Sequence, residues 1–128
     1  ASFDISEVLA QCDWTASFSH PAAKANADAV AKTRLAYHSA CSLQHGQNIH
    51  GLPKRLLQQA GFTVVEPRDG HLCCGSAGVY NILQPDMADG LKSRKLDTLH
   101  ATGAAAVAAG NIGCITQLNA PDVLHAIM

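Results

Sequence analysis

Two adjacent cysteines followed by glycine, within the stretch 71–78 (HLCCGSAG), constrain this chain more than any other feature of its sequence. Cys73 and Cys74 are poorly placed to bond to each other, because disulfide geometry suits side chains whose backbones lie farther apart. Glycines allow the backbone to approach a bound group closely and then to turn. We expect Ser76 to begin a helix whose free N–H groups face the thiols and favour thiolates. Free cysteines are often simply buried, but this pattern favours a metal or cluster site.

The composition excludes several classes of protein. The chain has 128 residues, enough for one domain with a real core, and we treat 1–128 as a single cysteine-rich domain. Its net charge of −1 gives no reason to expect nucleic acid as a partner. No apolar run approaches the roughly 18 to 20 residues of a membrane span, and no signal-peptide pattern opens the chain. We expect a fragment of a longer protein, because the chain starts without an initiator methionine and stops inside an apolar pattern.

The cysteine count indicates the redox setting. Five cysteines is an odd number, whereas a secreted disulfide scaffold favours an even one. A reducing, cytoplasmic setting with thiolate ligands fits this count better.

The alternation of strand and helix patterns predicts an α/β domain, with a small parallel sheet flanked by helices. Short apolar runs predict strands at 35–38, 62–65 and 104–109. Capping and apolar periodicity predict helices at 5–12, 51–60, 76–83, 85–103 and 121–128. Residues 1–34 stay poorly assigned apart from the first helix and a turn at Pro21.

Four cysteines follow the ends of these predicted strands. Cys41 comes just after the first strand, Cys73 and Cys74 follow the second, and Cys114 follows the third. Ligands of open α/β sheets bind outside the carboxyl ends of the strands, so the four thiols are expected to converge there. Cys12 falls outside this pattern, and we expect it to be structural.

Other polar residues near the cysteines have two interpretations each. His38 lies three residues before Cys41 and is a candidate additional ligand; the alternative is a hydrogen-bonded strand-end histidine. His45 and His71 either donate hydrogen bonds to the site or are solvated loop residues. The basic segment 92–95 is expected to be a solvated helix face, with a docking surface for a partner subunit or anionic substrate as the alternative.

Three separate motifs resemble the CCG cysteine-rich domain family. They are 37–47 (YHSACSLQHGQ), 73–85 (CCGSAGVYNILQP) and 110–118 (GNIGCITQL), with Arg94-Lys95 between the last two. In detail they are similar to the C-terminal copy of this domain in the iron–sulfur subunit of glycolate oxidase. Related copies occur in heterodisulfide reductase, in anaerobic glycerol-3-phosphate dehydrogenase and in lactate-utilisation proteins.

The resemblance implies electron transfer. In the family, a flavin subunit oxidises the hydroxy acid and the iron–sulfur subunit passes the electrons to an acceptor. The expected partners are therefore the flavin-containing subunit and the other subunits of a glycolate oxidase complex. The isolated domain is expected to have no catalytic residue and no activity of its own. The complex is expected in the cytoplasm, or peripheral to the inner face of the membrane.

The resemblance also implies a cofactor and its ligands. The family's fullest motif has five cysteines, which hold a non-cubane [4Fe-4S] cluster in heterodisulfide reductases; here the fifth position is Gln117. We expect Gln117 to lie on the turn after Cys114 and to donate a hydrogen bond to a sulfur or to the backbone. The matching cofactor-binding residues of this chain are Cys41, Cys73, Cys74, Cys114, Gly75 and Gly78. Four thiolates satisfy a cubane [4Fe-4S] cluster, and equally a tetrahedral zinc ion. Two other functions therefore stay open: a zinc-binding module that joins subunits, and a thiol–disulfide redox enzyme, although no Cys-x-x-Cys supports the latter.

Overall fold

The computed structural model describes residues 3–12 and 33–119, and the backbone of 125–127. A short π-helical turn, Ser42–Gly46, follows the first strand. The other elements, in chain order, are α1 (Ile5–Gln11), β1 (Arg34–His38), α2 (Leu52–Gln59), β2 (Thr63–Val65), α3 (Tyr80–Leu83), α4 (Pro85–His100), β3 (Ala106–Ala109), α5 (Ile112–Leu118) and β4 (His125–Ile127). The predicted α/β fold is confirmed. Of the described helices, none is long and apolar enough to cross a membrane.

The sheet has four parallel strands in the order β2-β1-β3-β4. Leu35 on β1 lies opposite Val64 on β2 and Ala106 on β3, so β1 occupies an interior position. At the carboxyl end of the sheet, His38 lies opposite Ala109. Since the strands run in one direction, the connections that follow β1, β2 and β3 all leave from this edge.

The two faces of the sheet carry different clusters. Leu35 and Tyr37 project to one face, where they pack with alanines of β3 and with side chains near α2 and β2. Ala36 lies on the other face, in a cluster that includes Cys74 and Cys114. Because successive strand residues alternate between faces, His38 shares the face of Ala36 and of the two cysteines.

The first helix has the capping box that its sequence predicts. The Asp4 carboxylate accepts a hydrogen bond from the Ser6 backbone N–H at 2.9 Å, and the Glu7 carboxylate accepts from the Asp4 N–H at 2.8 Å. Both bonds satisfy N–H groups that a helix start leaves without intrahelical partners. The predicted turn at Pro21 and the other residues of 13–32 lie outside the described part of the chain.

The helix predicted from Ser76 to Leu83 is wrong over its first half. Helical structure begins only at Tyr80, because Ala77 and Gly78 have positive φ angles of 29° and 66°. A right-handed helix cannot include residues in that conformation. Ser76 therefore lies in a tight loop and does not begin a helix.

Two further differences concern the C-terminal third of the chain. Residues 125–127 form a strand, where a helix was predicted; they pair in parallel with the edge of the sheet at β3, which supplies hydrogen bonds to an extended segment. The rest of that predicted helix lies outside the described residues. Helix α5, which carries Cys114, was not predicted, although Asn111 is a strong N-cap residue.

Candidate metal centre

Three connections bring the predicted ligands to the carboxyl edge of the sheet. Cys41 has helical backbone angles at the start of the π-helical turn after β1. Cys73 and Cys74 lie in the loop between β2 and α3, which we call the CCG loop (residues 69–79). Cys114 is the third residue of α5, which follows β3 after two residues.

Three of these side chains form a compact, buried group. The Cys74 and Cys114 sulfurs and a ring nitrogen of His38 all lie within 4.8 Å of one another. His38 is fully buried, and its ring nitrogens make no hydrogen bond to a nitrogen or oxygen of the described residues; its interaction is with the Cys74 sulfur, whose pKa it helps to lower. A buried polar group without a partner costs roughly 1–3 kcal/mol. A bound metal ion or cluster would compensate part of this cost.

Cys41 and Cys73 are half-buried and are not members of this 4.8 Å group. The pKa of Cys41 is raised, first by burial and then by the neighbouring Cys73 sulfur. Cys41 also interacts electrostatically with Cys74, and Cys114 interacts with all three other cysteines. The structure thus groups Cys74 and Cys114 with His38, and Cys41 and Cys73 interact electrostatically with this group; ligation by all four cysteines stays a prediction.

One proton is shared between the two buried cysteines. The Cys114 thiol donates to the Cys74 sulfur, which lowers the pKa of Cys74 to about 4; burial acts in the opposite direction, and His38 and the Ser76 N–H lower the pKa further. The same hydrogen bond, together with burial, raises the pKa of Cys114. Cys74 is therefore a thiolate at neutral pH, the form in which cysteine binds metals.

Backbone N–H groups of the CCG loop point at its own sulfurs. The Gly75 N–H donates to the Cys73 sulfur at 3.3 Å, and the Ser76 N–H donates to Cys74. Gly75 has a φ of +91°, which glycine tolerates without strain. The expected donors to the thiolates are thus present, but a turn supplies them instead of a helix N-terminus. Gly78, with a φ of +66°, shapes the same turn and is exposed.

Residues at the start of α5 contact both of the other connections, the one after β1 and the CCG loop. The Asn111 side-chain oxygen accepts from the N–H groups of Gly113 (2.9 Å) and Cys114 (3.3 Å). Its amide nitrogen donates to the Ser42 hydroxyl at 3.3 Å, which joins this turn to the connection after β1. Gly113 packs on the CCG loop, where a β-carbon at position 113 would lie 2.6 Å from the Ser76 hydroxyl.

Gln117, at the position of the family's fifth cysteine, is buried one turn of helix after Cys114. Its side-chain oxygen accepts a hydrogen bond from the Asn81 amide at 3.0 Å. We expected Gln117 to lie on a turn and to donate to a sulfur or to the backbone. Instead it lies in α5 and joins that helix to α3.

Lys95 was missed by the sequence analysis. It was expected on a solvated helix face, but it is only 2% exposed, and its Nζ donates to the backbone oxygens of Asp69 (3.2 Å) and Gly70 (3.4 Å). Burial lowers its pKa, and the nearby Cys74, Cys41 and Cys73 sulfurs act in the opposite direction. The sequence signal that indicates the burial of Lys95 is its spacing of four residues from both Leu91 and Leu99, which lie on the core-facing side of α4.

The remaining candidates are at the surface. His45 and His71 are exposed, which fits solvated loop residues better than donors to a buried site. Cys12 is exposed at the end of α1. Arg94 is exposed and pairs with the Asp69 carboxylate at 3.3 Å, as expected of a residue on a solvated helix face.

The donor set fits an iron–sulfur cluster or zinc. Thiolates are soft ligands that select these two over hard cations such as magnesium or calcium. The sequence profile of the cysteine-rich CCG domain matches residues 35–119. The chain belongs to this CCG domain family. The match covers β2, β3, all of β1 except Arg34, and the four cysteines predicted as ligands.

Curated relatives carry the same segment within much longer proteins. The glycolate oxidase iron-sulfur subunit of Escherichia coli (strain K12) is 41% identical over 85 residues, which are 66% of this chain and 21% of that protein. A probable glycolate oxidase iron-sulfur subunit of Bacillus subtilis (strain 168) is 32% identical over 87 residues, 66% of this chain and 19% of the relative. A CoM/CoB fumarate reductase subunit of Methanothermobacter marburgensis is 31% identical over 75 residues, 58% of this chain and 15% of the relative. The chain thus spans about a fifth of the length of the first two relatives.

Proposed function

We propose that this CCG domain holds an iron–sulfur cluster and transfers electrons within a complex that oxidises glycolate or a related 2-hydroxy acid. The observation that carries this proposal is the buried group of two cysteine sulfurs and an imidazole within 4.8 Å, with two more cysteines that interact electrostatically with those sulfurs. Relatives named as iron-sulfur subunits support the choice of cofactor. The name of the first relative supports the choice of substrate.

The proposed ligands are the four clustered cysteines, which would hold a four-thiolate [4Fe-4S] cluster. When bound, such a cluster supplies reversible one-electron transfer. Cys74 is prepared for ligation because its pKa lies far below the ordinary thiol value. The N–H groups of Gly75 and Ser76 stabilise sulfur charge, and hydrogen bonds of this kind set the potentials of iron–sulfur proteins.

His38 is a candidate additional ligand. Its imidazole has no other partner among the described residues and is within reach of both buried sulfurs. The compact trio of His38, Cys74 and Cys114, together with one further thiol, would also suit a tetrahedral zinc ion. A zinc-binding module that joins subunits is therefore the second candidate function, supported by the same trio.

The partners follow from the proposed role. The electrons would come from a flavin-containing subunit and pass to other subunits of the complex. The complex itself would lie in the cytoplasm. The name of the first relative, a subunit of an oxidase, supports an assembly of this kind.

The decisive experiment uses Cys73→Ser in the full-length subunit. We expect it to abolish glycolate-dependent reduction of an external acceptor, while reduction of the flavin in the partner subunit survives. Cys12→Ser, which changes an exposed cysteine, is the matched control and should leave both reactions intact. Loss of flavin reduction in Cys73→Ser would assign the site to assembly or substrate chemistry. A colourless, anaerobically purified protein with one zinc ion would favour the zinc module instead.

A further inference from the structure

Lys95 is a buried cation whose hydrogen-bond partners are both neutral. It is 2% exposed, and its Nζ donates to the backbone oxygens of Asp69 and Gly70. The Asp69 carboxylate is engaged by Arg94, at 3.3 Å. Lysine is almost never fully buried unless it is paired with opposite charge, because removing an ammonium group from water is costly. The two carbonyl oxygens alone do not explain why a cation lies here.

Most of the opposite charge near Lys95 belongs to the cysteine site; the Asp69 carboxylate, which Arg94 already pairs, contributes least. Lys95 interacts electrostatically with three of the four sulfurs: Cys74, Cys41 and Cys73. It lines a narrow crevice together with Cys73, Leu72 and Leu91. Four thiolates gathered in a protein interior repel one another, and a fixed cation beside them offsets that repulsion.

We propose that Lys95 is the counter-charge of the cysteine site. Its ammonium group stabilises the clustered thiolates, and so favours retention of the metal and the more negative, reduced state of a bound cluster. Its two hydrogen bonds hold it against the turn at 69–70, at the start of the CCG loop. This inference rests on the proposed function only for the identity of the cluster. The effect of the charge on metal binding stands on the cysteine geometry.

The size of the effect follows from Coulomb's law. A unit charge several ångströms away, at the effective dielectric constant of about 20 that suits protein interiors, contributes enough to change a binding constant by roughly tenfold or more. A tenfold preference for the reduced state corresponds to a change of about 59 mV in the reduction potential of a one-electron couple. Either change is large enough to measure.

The experiment compares Lys95→Met with Lys92→Met in the metal-free chain, titrated anaerobically with Co²⁺, whose thiolate bands report binding. Lys92 lies three residues earlier on α4 and carries the same charge, so it is the matched control. We expect Lys95→Met to weaken Co²⁺ binding about tenfold or more, and Lys92→Met to leave it nearly unchanged. In the reconstituted iron–sulfur protein, Lys95→Met should lower the reduction potential by at least about 59 mV.

A purely structural role would give a different result. If Lys95→Met lowers the stability of the metal-free protein but changes neither Co²⁺ affinity nor potential, the counter-charge proposal is overturned. If Lys95→Met does not fold, the Co²⁺ affinities of Lys95→Gln and Lys95→Arg are compared instead. Both substitutions alter the shape of the side chain, but only glutamine removes its charge. Equal Co²⁺ affinity in these two variants overturns the proposal. If the wild type binds Co²⁺ but accepts no iron–sulfur cluster, the proposed function fails while the Co²⁺ comparison still tests Lys95.

Discussion

Gly75 lies so close to Ala88 that a β-carbon at position 75 would be 2.5 Å from the Ala88 carbonyl oxygen. Gly75 also has a φ of +91°, which residues with a side chain rarely adopt. Ala88 is buried in the first turn of α4, the helix that carries Lys95 two turns later. The CCG loop is thus held against α4 by a contact that only glycine permits.

Replacing this glycine should be costly. Gly75→Ala combines a strained backbone with a collision against main-chain atoms, so we expect it to lower the free energy of unfolding by about 2–4 kcal/mol. Gly78→Ala meets no atom within 4 Å and should cost only the strain of its φ of +66°, about 1 kcal/mol. Urea denaturation of the metal-free proteins measures both.

Gly90 supplies the control for these variants. It lies in α4 with open space around its α-carbon and without a left-handed φ, so Gly90→Ala should raise the free energy of unfolding by about 0.5–1 kcal/mol. Equal losses in Gly75→Ala and Gly78→Ala would contradict the argument, because the contact with Ala88 would then have no consequence.

Much of this architecture could be predicted, because the relevant signals are local. The capping box at Asp4 and the apolar run ending at Val65 are readable in the sequence alone and are confirmed as α1 and β2. The placement of Cys41 and Cys114 followed from a general property of parallel sheets, whose carboxyl ends share one edge. In the structure these two cysteines interact electrostatically, and their binding of one cluster stays a prediction.

What could not be predicted depends on tertiary contacts. Residues 125–127 form a strand because the edge of β3 supplies hydrogen bonds to them. Their own sequence does not indicate this pairing with β3. The CCG loop is not helical from Ser76, because Ala77 and Gly78 have positive φ angles, and its packing of Gly75 against Ala88 is a tertiary contact that the sequence does not show. Lysine is usually a surface residue. The burial of Lys95 is explained only by its core-facing position on α4 and by the sulfurs with which it interacts.

Asn111 gives a prediction about the helix that carries Cys114. Its side chain caps α5 and also bonds to Ser42, so Asn111→Ala should lower the free energy of unfolding by about 1–2 kcal/mol. Asn111→Ser keeps an oxygen that can cap the helix and should lose less than half as much. Thermal or urea denaturation of the metal-free proteins checks this, and equal losses in the two variants would contradict the capping role.

The stability of the metal-free protein should rise with pH between about 4 and the ordinary thiol value of 9.0. In that window Cys74 is a thiolate in the folded protein and a thiol in the unfolded chain, so the unfolded chain binds more protons. The gain is lost as the pH falls through about 4. Above the thiol value the trend should weaken or reverse, since the folded protein keeps protons on Cys114 and Cys41, whose pKa values are raised.

Urea denaturation across this pH range, under reducing conditions, measures the effect. Cys74→Ser removes the low-pKa group and should flatten the rise, whereas Cys12→Ser should leave it unchanged, since Cys12 lies exposed on α1. A rise of equal slope in Cys74→Ser would show that another group causes the pH dependence.

Gln117 gives a prediction about the type of cluster. It is buried on α5 three residues after Cys114, so both side chains lie on the same side of the helix. Its oxygen is engaged by Asn81, and an amide is a poor iron ligand beside thiolates. We therefore expect the wild-type chain, reconstituted anaerobically, to hold at most a four-thiolate site without the non-cubane signal in electron paramagnetic resonance.

Gln117→Cys should restore the missing thiolate and produce that non-cubane signal, at the cost of the hydrogen bond from Asn81. Thr116→Cys is the matched control, because it adds a thiol to the neighbouring, exposed position of the same helix. Metal analysis alongside the spectra should find iron in the anaerobic samples, and zinc or no metal after purification in air, since zinc has no redox chemistry and binds the same sulfurs. A non-cubane signal in the wild type would refute the expectation, because a fifth thiolate would not then be required. A signal of equal strength in Thr116→Cys would show that position 117 has no special relation to the site.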